Sequence, residues 1–182
     1  MHDHRAVRPD AGEYAPFYAG YVAGVPDGDV VETLVRSGAE ATALLDGLPE
    51  AAGDVAYAPG KWTVREVALH CIDAERIFAC RALRIARGDR TPLPGWEEKA
   101  YAPESGAAGR TLASLAGELR SVRASTVTLF ENLPADTWTR RGIANEREVT
   151  VRAIAWIGAG HLLHHLRILR ERYLAGPQAT SG

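Results

Sequence analysis

The sequence predicts an all-α fold, a four-helix bundle, on three observations. Four long stretches carry apolar residues at helical spacing, each opens on a capping residue, and no segment shows the Val/Ile/Thr alternation of a strand. The first helix begins at Asp29, an N-cap with Glu32 placed to complete a capping pair, and runs through Val30, Val31, Leu34, Val35, Ala41, Leu44, Leu45 and Leu48. It ends near Gly47 to Pro49. The second follows the turn-forming stretch 57–62: Thr63 and Glu66 form an S/T-x-x-E box, and the periodic run continues to Arg87, stopped by Gly88. Residues 88–110 hold Pro92, Pro94, Pro103 and four glycines and read as a long crossover loop between helices two and three. The third helix starts after Thr111, carries Leu112, Leu115, Leu119, Val122, Val127, Phe130 and Leu133, and is closed by Pro134. A connection containing Trp138 and Asn145 leads to Thr150, the cap of a fourth helix that passes through Ile154, Ile157, His161, His165 and Ile168 to Tyr173. Residues 1–26, with scattered prolines and tyrosines, read as an arm packed on the bundle, residues 27–175 as the bundle, and 176–182 as a flexible tail.

Composition narrows the function classes. A length of 182 residues with 46% hydrophobic and 24% charged residues is that of a globular domain able to bury a core. The formal charge of -2 is too even for a chain that grips nucleic acid or an anionic membrane. The longest apolar runs fall far short of the roughly 20 residues that span a bilayer, and no secretory signal opens the chain, so the expected location is cytoplasmic. Cys71 and Cys80 share one predicted helix, with α-carbons about 13 Å apart on roughly opposite faces, so they cannot form a disulfide with each other. Phosphate-binding glycine loops, a nucleophile elbow and zinc-spaced cysteine pairs are all absent from the sequence.

The histidines carry the chemical signal. His161 and His165 lie four apart on one face of the fourth helix, the spacing at which two imidazoles reach one metal ion. At about 100° per residue, the apolar stripe of that helix runs on the side of His161 and His165, whereas His164 falls about 60° off it toward Arg167 and Glu171. On the second helix His70 sits within the stripe of Val67, Ala74, Phe78 and Ile85. Three imidazoles entering one core need partners, because an unsatisfied buried donor or acceptor costs about 1–3 kcal/mol. A divalent ion would satisfy all three, and three ligands leave room for water or substrate. Each histidine alone also reads as an ordinary core residue, and helix faces leave open whether His70 meets the pair.

The string Ala58-Pro-Gly-Lys-Trp-Thr-Val-Arg-Glu-Val leads to His70 and then to Asp73-Ala-Glu-Arg-Ile-Phe. It is followed far downstream by Gly160-His-Leu-Leu-His-His-Leu-Arg-Ile-Leu-Arg-Glu-Arg-Tyr173. Together they resemble the DinB-like superfamily of damage-inducible, metal-dependent proteins, over nearly the whole chain after residue 20. The resemblance implies a four-helix bundle with up-down-down-up connectivity, a metal triad on His70, His161 and His165, and a homodimer. It also implies a reaction on a small-molecule substrate, since related members are metal-dependent transferases and isomerases that use low-molecular-weight thiols. It does not imply DNA synthesis: the DNA polymerase sharing the label is unrelated.

Three functional readings follow. In the first, a divalent ion, zinc or nickel foremost, stabilises a thiol as thiolate for attack on a small electrophile. In the second, a hydrolase uses metal-bound water. In the third, the bundle is a non-catalytic metal-binding or interaction module. Asp73, one turn from His70, could orient an imidazole or accept a proton, or could be a solvated carboxylate. Arg81 could meet a substrate carboxylate, exit to the rim or pair with Glu75. Trp156 and Leu163 fall on the outer face of the last helix and suggest a subunit contact.

Overall fold

The computed structural model describes residues 4–174; His2 and the predicted tail, 176–182, lie outside them. The helices are α1 (Ala19–Ala23), α2 (Val30–Gly47), α3 (Val64–Ala86), α4 (Glu98–Glu104), α5 (Leu112–Glu131) and α6 (Val151–Ile168), the last continuing as a π-helical turn, Leu169–Leu174. Between α5 and α6 a hairpin pairs β1 (Arg141–Ala144) with β2 (Arg147–Thr150). The predicted caps close the four long helices. Asp29 accepts from the Val31 amide at 2.7 Å, Thr63 and Glu66 form the reciprocal box, Thr111 accepts from Ser114, and Thr150 accepts from Ala153. Asp29 caps without help from Glu32, its carboxylate being held instead by Arg5 at 2.6 Å.

The long helices form a ring in which α2 and α3 each pack against both α5 and α6. Their buried side chains make two apolar clusters. One holds Leu34, Phe78, Phe130 and Trp156; the other holds Leu45, Ile72, Leu115 and Leu162. The change from one to the other falls between Ile72 and Ala74 on α3 and between Ala159 and Leu162 on α6. A layer of polar groups marks this seam. Arg123 of α5 pairs with Glu75 of α3 at 2.8 Å and donates to the Leu34 carbonyl of α2 at 3.0 Å, Gly38 leaving the space its side chain fills. His70 and His161 sit in the same part of the bundle, both buried.

Three expectations are corrected. The crossover is not a bare loop. It contains α4, and Leu93 forms a parallel bridge to Ala144, donating to the Ile143 carbonyl and accepting from the Asn145 amide, each at 2.9 Å. The hairpin was not expected, because its strands are four residues each and its turn is Asn145-Glu146 rather than an Asn-Gly pair. Both residues nonetheless adopt the positive φ, 50° and 62°, that a two-residue hairpin turn requires. Trp156 is fully buried, not on an outer face. The N-terminal segment covers it: the Arg8 guanidinium lies 4.6 Å from the ring centroid, and α1 packs along α6. That segment is held by a buried Glu13–Arg152 ion pair, with Thr150 donating to Glu13 at 2.7 Å.

Gly160 sets how closely α1 approaches α6, since a Cβ there would lie 2.0 Å from the Tyr21 carbonyl oxygen. Gly160→Ala is therefore expected to lower stability by about 1–3 kcal/mol, the usual cost of overpacking. Chemical denaturation checks the size of the loss.

Candidate metal centre

Helix α3 delivers His70, and α6 delivers His161 and His165 from successive turns of one face. The Nε2 atoms of His70 and His161 are 3.0 Å apart. The three ring centroids are 4.9, 4.9 and 4.5 Å apart, and one nitrogen from each ring falls within 4.8 Å of the others. His164 lies outside this group. It points to the flank, against Tyr21, with Arg167 3.4 Å from its Nδ1.

Aromatic side chains wall the cluster. His70 lies between Trp62, at 4.8 Å, and Trp96, nearly parallel at 5.6 Å. His161 has Tyr21 at 5.4 Å and Phe78 at 5.8 Å. Trp96 reaches this position because the β1 bridge fixes Leu93, and because Gly95 lies against Asn145, whose Oδ1 would be 2.3 Å from a Cβ there. Tyr21 depends on the close contact at Gly160. Neither residue was identified from sequence as part of the site, since each is brought in by packing between distant segments.

Burial disfavours the charged form of all three rings. It holds His70 down to about 4 and His165 down to about 3, and His161 falls well below the ordinary value, with its histidine neighbours adding to the effect. The rings are thus neutral at physiological pH and offer lone pairs. The donor set fits a divalent transition metal. Imidazole nitrogens about 2.0–2.1 Å from a tetrahedral ion are about 3.3 Å from each other, close to the His70–His161 spacing. Among the described residues no carboxylate joins the three nitrogens.

Asp73 lies apart from the three nitrogens. Its nearest ion-pair partner is Arg76 at 3.7 Å, and burial raises its proton affinity. It shares a small cavity with His70, Trp96 and Glu98. The alternative pairing of Arg81 with Glu75 does not occur, because Arg123 takes Glu75. Two larger cavities flank the cluster. One of about 330 Å³ reaches His161, and one of about 420 Å³ reaches His165. Glu98 and Lys99 of α4 line both, and nothing in the sequence of the crossover marks them.

The sequence matches the DinB superfamily over residues 33–169. The chain belongs to the DinB superfamily. This DinB chain shares its fold with YfiT of Bacillus subtilis, described as a "probable metal-dependent hydrolase with an unusual four-helix bundle topology". The two are 18% identical with a TM-score of 0.66, over 88% of this chain and 94% of that one. It also shares its fold with the mycothiol-dependent maleylpyruvate isomerase, at 13% identity and a TM-score of 0.63 over 75% of this chain and 58% of the isomerase. No curated protein matches the sequence.

The depressed imidazole values set a pH dependence with a definite sign. An unfolded histidine takes up its proton near pH 6.5, whereas His70 and His165 in the fold hold out to about 4 and about 3. The unfolded chain therefore binds more protons on acidification. Stability is fully present above about pH 6.5 and is lost as pH falls toward 4. Chelator-treated protein is expected to melt at progressively lower temperature across that window, and His70→Phe to flatten the slope. A melting temperature independent of pH from 7 to 5 would show that the rings are not held neutral.

Proposed function

We propose that this protein is a divalent-metal-dependent enzyme in which His70, His161 and His165 hold the ion and a low-molecular-weight thiol is transferred to a small electrophile. The observation that carries the reading is the pair of cavities meeting at the histidines, one at His161 and one at His165, which gives a two-substrate reaction a place for each. When bound, a divalent ion supplies Lewis acidity, lowering the proton affinity of a thiol or water that reaches it. The protein's own groups do the rest. Trp62 and Trp96 clamp His70 and exclude water from one side, while Tyr21 and Phe78 do so around His161. Asp73, on a cavity wall with His70 and with a raised proton affinity, is suited to accept a proton at its carboxylate.

Hydrolysis at the same histidines is the second reading, favoured by the likeness in fold to YfiT over nearly its whole length. The up-down-down-up connectivity belongs to the proposal as well. Cross-helix contacts support it: Arg65 at the start of α3 donates to the Arg110 carbonyl just before α5 and Glu75 further on meets Arg123, so α3 and α5 run parallel, whereas Leu34 near the start of α2 meets Arg123 and Glu50 just past its end meets the Leu112 amide, so α2 and α5 run antiparallel. With Trp156 buried, the homodimer rests on the family resemblance alone. A small-molecule substrate fits the cavity sizes.

Elemental analysis of purified protein is expected to find about one zinc or nickel per chain, and His161→Ala to lower the content more than about tenfold. Equal metal in both proteins would remove the site. With metal-loaded protein and a panel of electrophiles, turnover is expected to require bacillithiol, mycothiol or glutathione. A rate indifferent to thiol would replace transfer by hydrolysis.

A further inference from the structure

Among the described residues four arginine side chains are buried: Arg65, Arg81, Arg123 and Arg152. Three of them have carboxylate partners within the protein. Arg65 pairs with Glu50 and Asp54, Arg123 with Glu75, and Arg152 with Glu13. Arg81 is 6% exposed and makes no ion pair among the described residues; its one hydrogen bond runs from Nη2 to the Pro94 carbonyl at 2.7 Å. A guanidinium cannot shed its charge, and a buried charge without a counter-ion is among the costliest groups a fold can keep. Arg81 also lines the 330 Å³ cavity that reaches His161, in company with Tyr18, Tyr21, Phe78 and Trp96. Glu97 and Glu98 line that cavity too, but both are exposed and neither comes within ion-pair distance of Arg81.

We propose that Arg81 is the recognition residue for the carboxylate of a small substrate with an apolar or aromatic body, which occupies the cavity between Arg81 and His161. The ligand supplies the missing counter-ion. With one Nη2 hydrogen committed to Pro94, the other edge of the guanidinium, which includes the second Nη2 hydrogen, offers the paired donors that match two carboxylate oxygens. The ring walls suit a flat or apolar body, and a volume near 330 Å³ lies at the small end of ligand sites. A single negative charge balances Arg81, whereas a phosphate dianion would bring a second beside Glu97 and Glu98. Lys99, on the same cavity wall, adds a positive charge of its own.

This deepens the function proposed above by naming the substrate class of the His161 cavity, and it can fail separately. Benzoate and phenylacetate are titrated by NMR against benzamide and phenylacetamide, with chelator-treated protein so that no ion can bind the carboxylate. The wild type is expected to prefer each acid to its amide, and Arg81→Met to weaken the acids by about tenfold to a hundredfold while leaving the amides unchanged. Arg81→Lys keeps a positive donor toward Pro94 but not the fork, and is expected to weaken the acids about tenfold; it is read in place of Arg81→Met should that variant not fold. Acids and amides binding alike, or acid binding that appears only after zinc is added and ignores Arg81, would overturn the assignment and leave the metal reading standing. Acid binding that needs Arg81 in a protein that takes up no metal would do the reverse. A second readout is melting temperature: Arg81→Met is expected to melt near the wild type or above it, and Arg123→Met, which strands Glu75, several degrees below.

Discussion

Three neutral imidazoles meet inside a helical bundle with no carboxylate among them, and much of the surrounding architecture keeps them there. The rings are costly to bury, and the cost is carried by the two apolar clusters on either side of the seam. Phe78, Trp156 and their neighbours lie on one side, Ile72, Leu115 and Leu162 on the other. Placing polar groups in a layer between two dry clusters confines desolvated donors and acceptors to a place where they can find one another. Arg123 and Glu75 meet most of the same demand by pairing across α5 and α3, Glu75 Oε1 staying without a partner among the described residues. Between the histidines, the 3.0 Å approach of His70 to His161 is satisfied by one shared proton. The lone pairs that neutral imidazoles keep are what suit the cluster to a cation.

Two peripheral segments hold this arrangement in place. The N-terminal segment is fastened at Glu13 by Arg152 and at Arg8 by the Trp156 ring, and delivers Tyr21 to His161 where Gly160 permits contact. The crossover is fastened to β1 at Leu93 and to α3 through the Arg81–Pro94 hydrogen bond, and delivers Trp96 to His70. Neither has much regular structure of its own. Their order comes from side chains and carbonyls of the bundle, so a change at Gly95, or at Gly160 beside His161 in the chain, reaches the site through one intermediate contact.

That dependence explains which features were legible in the sequence. His70, His161 and His165 could be picked out because the helical period and a single apolar stripe are properties of one helix at a time, and the stripe must face the core. Trp156 was misread for the same reason. A wheel gives direction relative to the stripe but cannot see a second covering layer, here the segment carrying Arg8, that turns an outer face into an inner one. Helix α4 was hidden by Pro103 within it and by a length of seven residues. The hairpin was hidden by strands too short to show alternation and by a turn whose Asn145 and Glu146 take a conformation usually left to glycine. Tyr21, Trp96 and Glu98 join the site through contacts between distant segments, for which no local pattern exists.

The composition of the donor set bears on what the site accepts. A carboxylate among three ligands would cancel part of a divalent ion's charge, whereas three neutral imidazoles cancel none of it. A cation held there acts through a desolvated interior with its charge intact, and anionic or readily deprotonated groups are the ones it attracts. Arg81, unpaired and buried beside the same cavity, pulls in the same direction, while the acidic residues nearby, Glu97 and Glu98, remain exposed and Asp73 is turned to Arg76. With an ion bound at the histidines, positive charge would be concentrated there and at Arg81, while Glu97 and Glu98, offset in part by Lys99, lie on the exposed part of the cavity wall. A ligand carrying one anionic group and an apolar body enters such a gradient with its charged end inward, which brings the atoms next to that group toward the histidines.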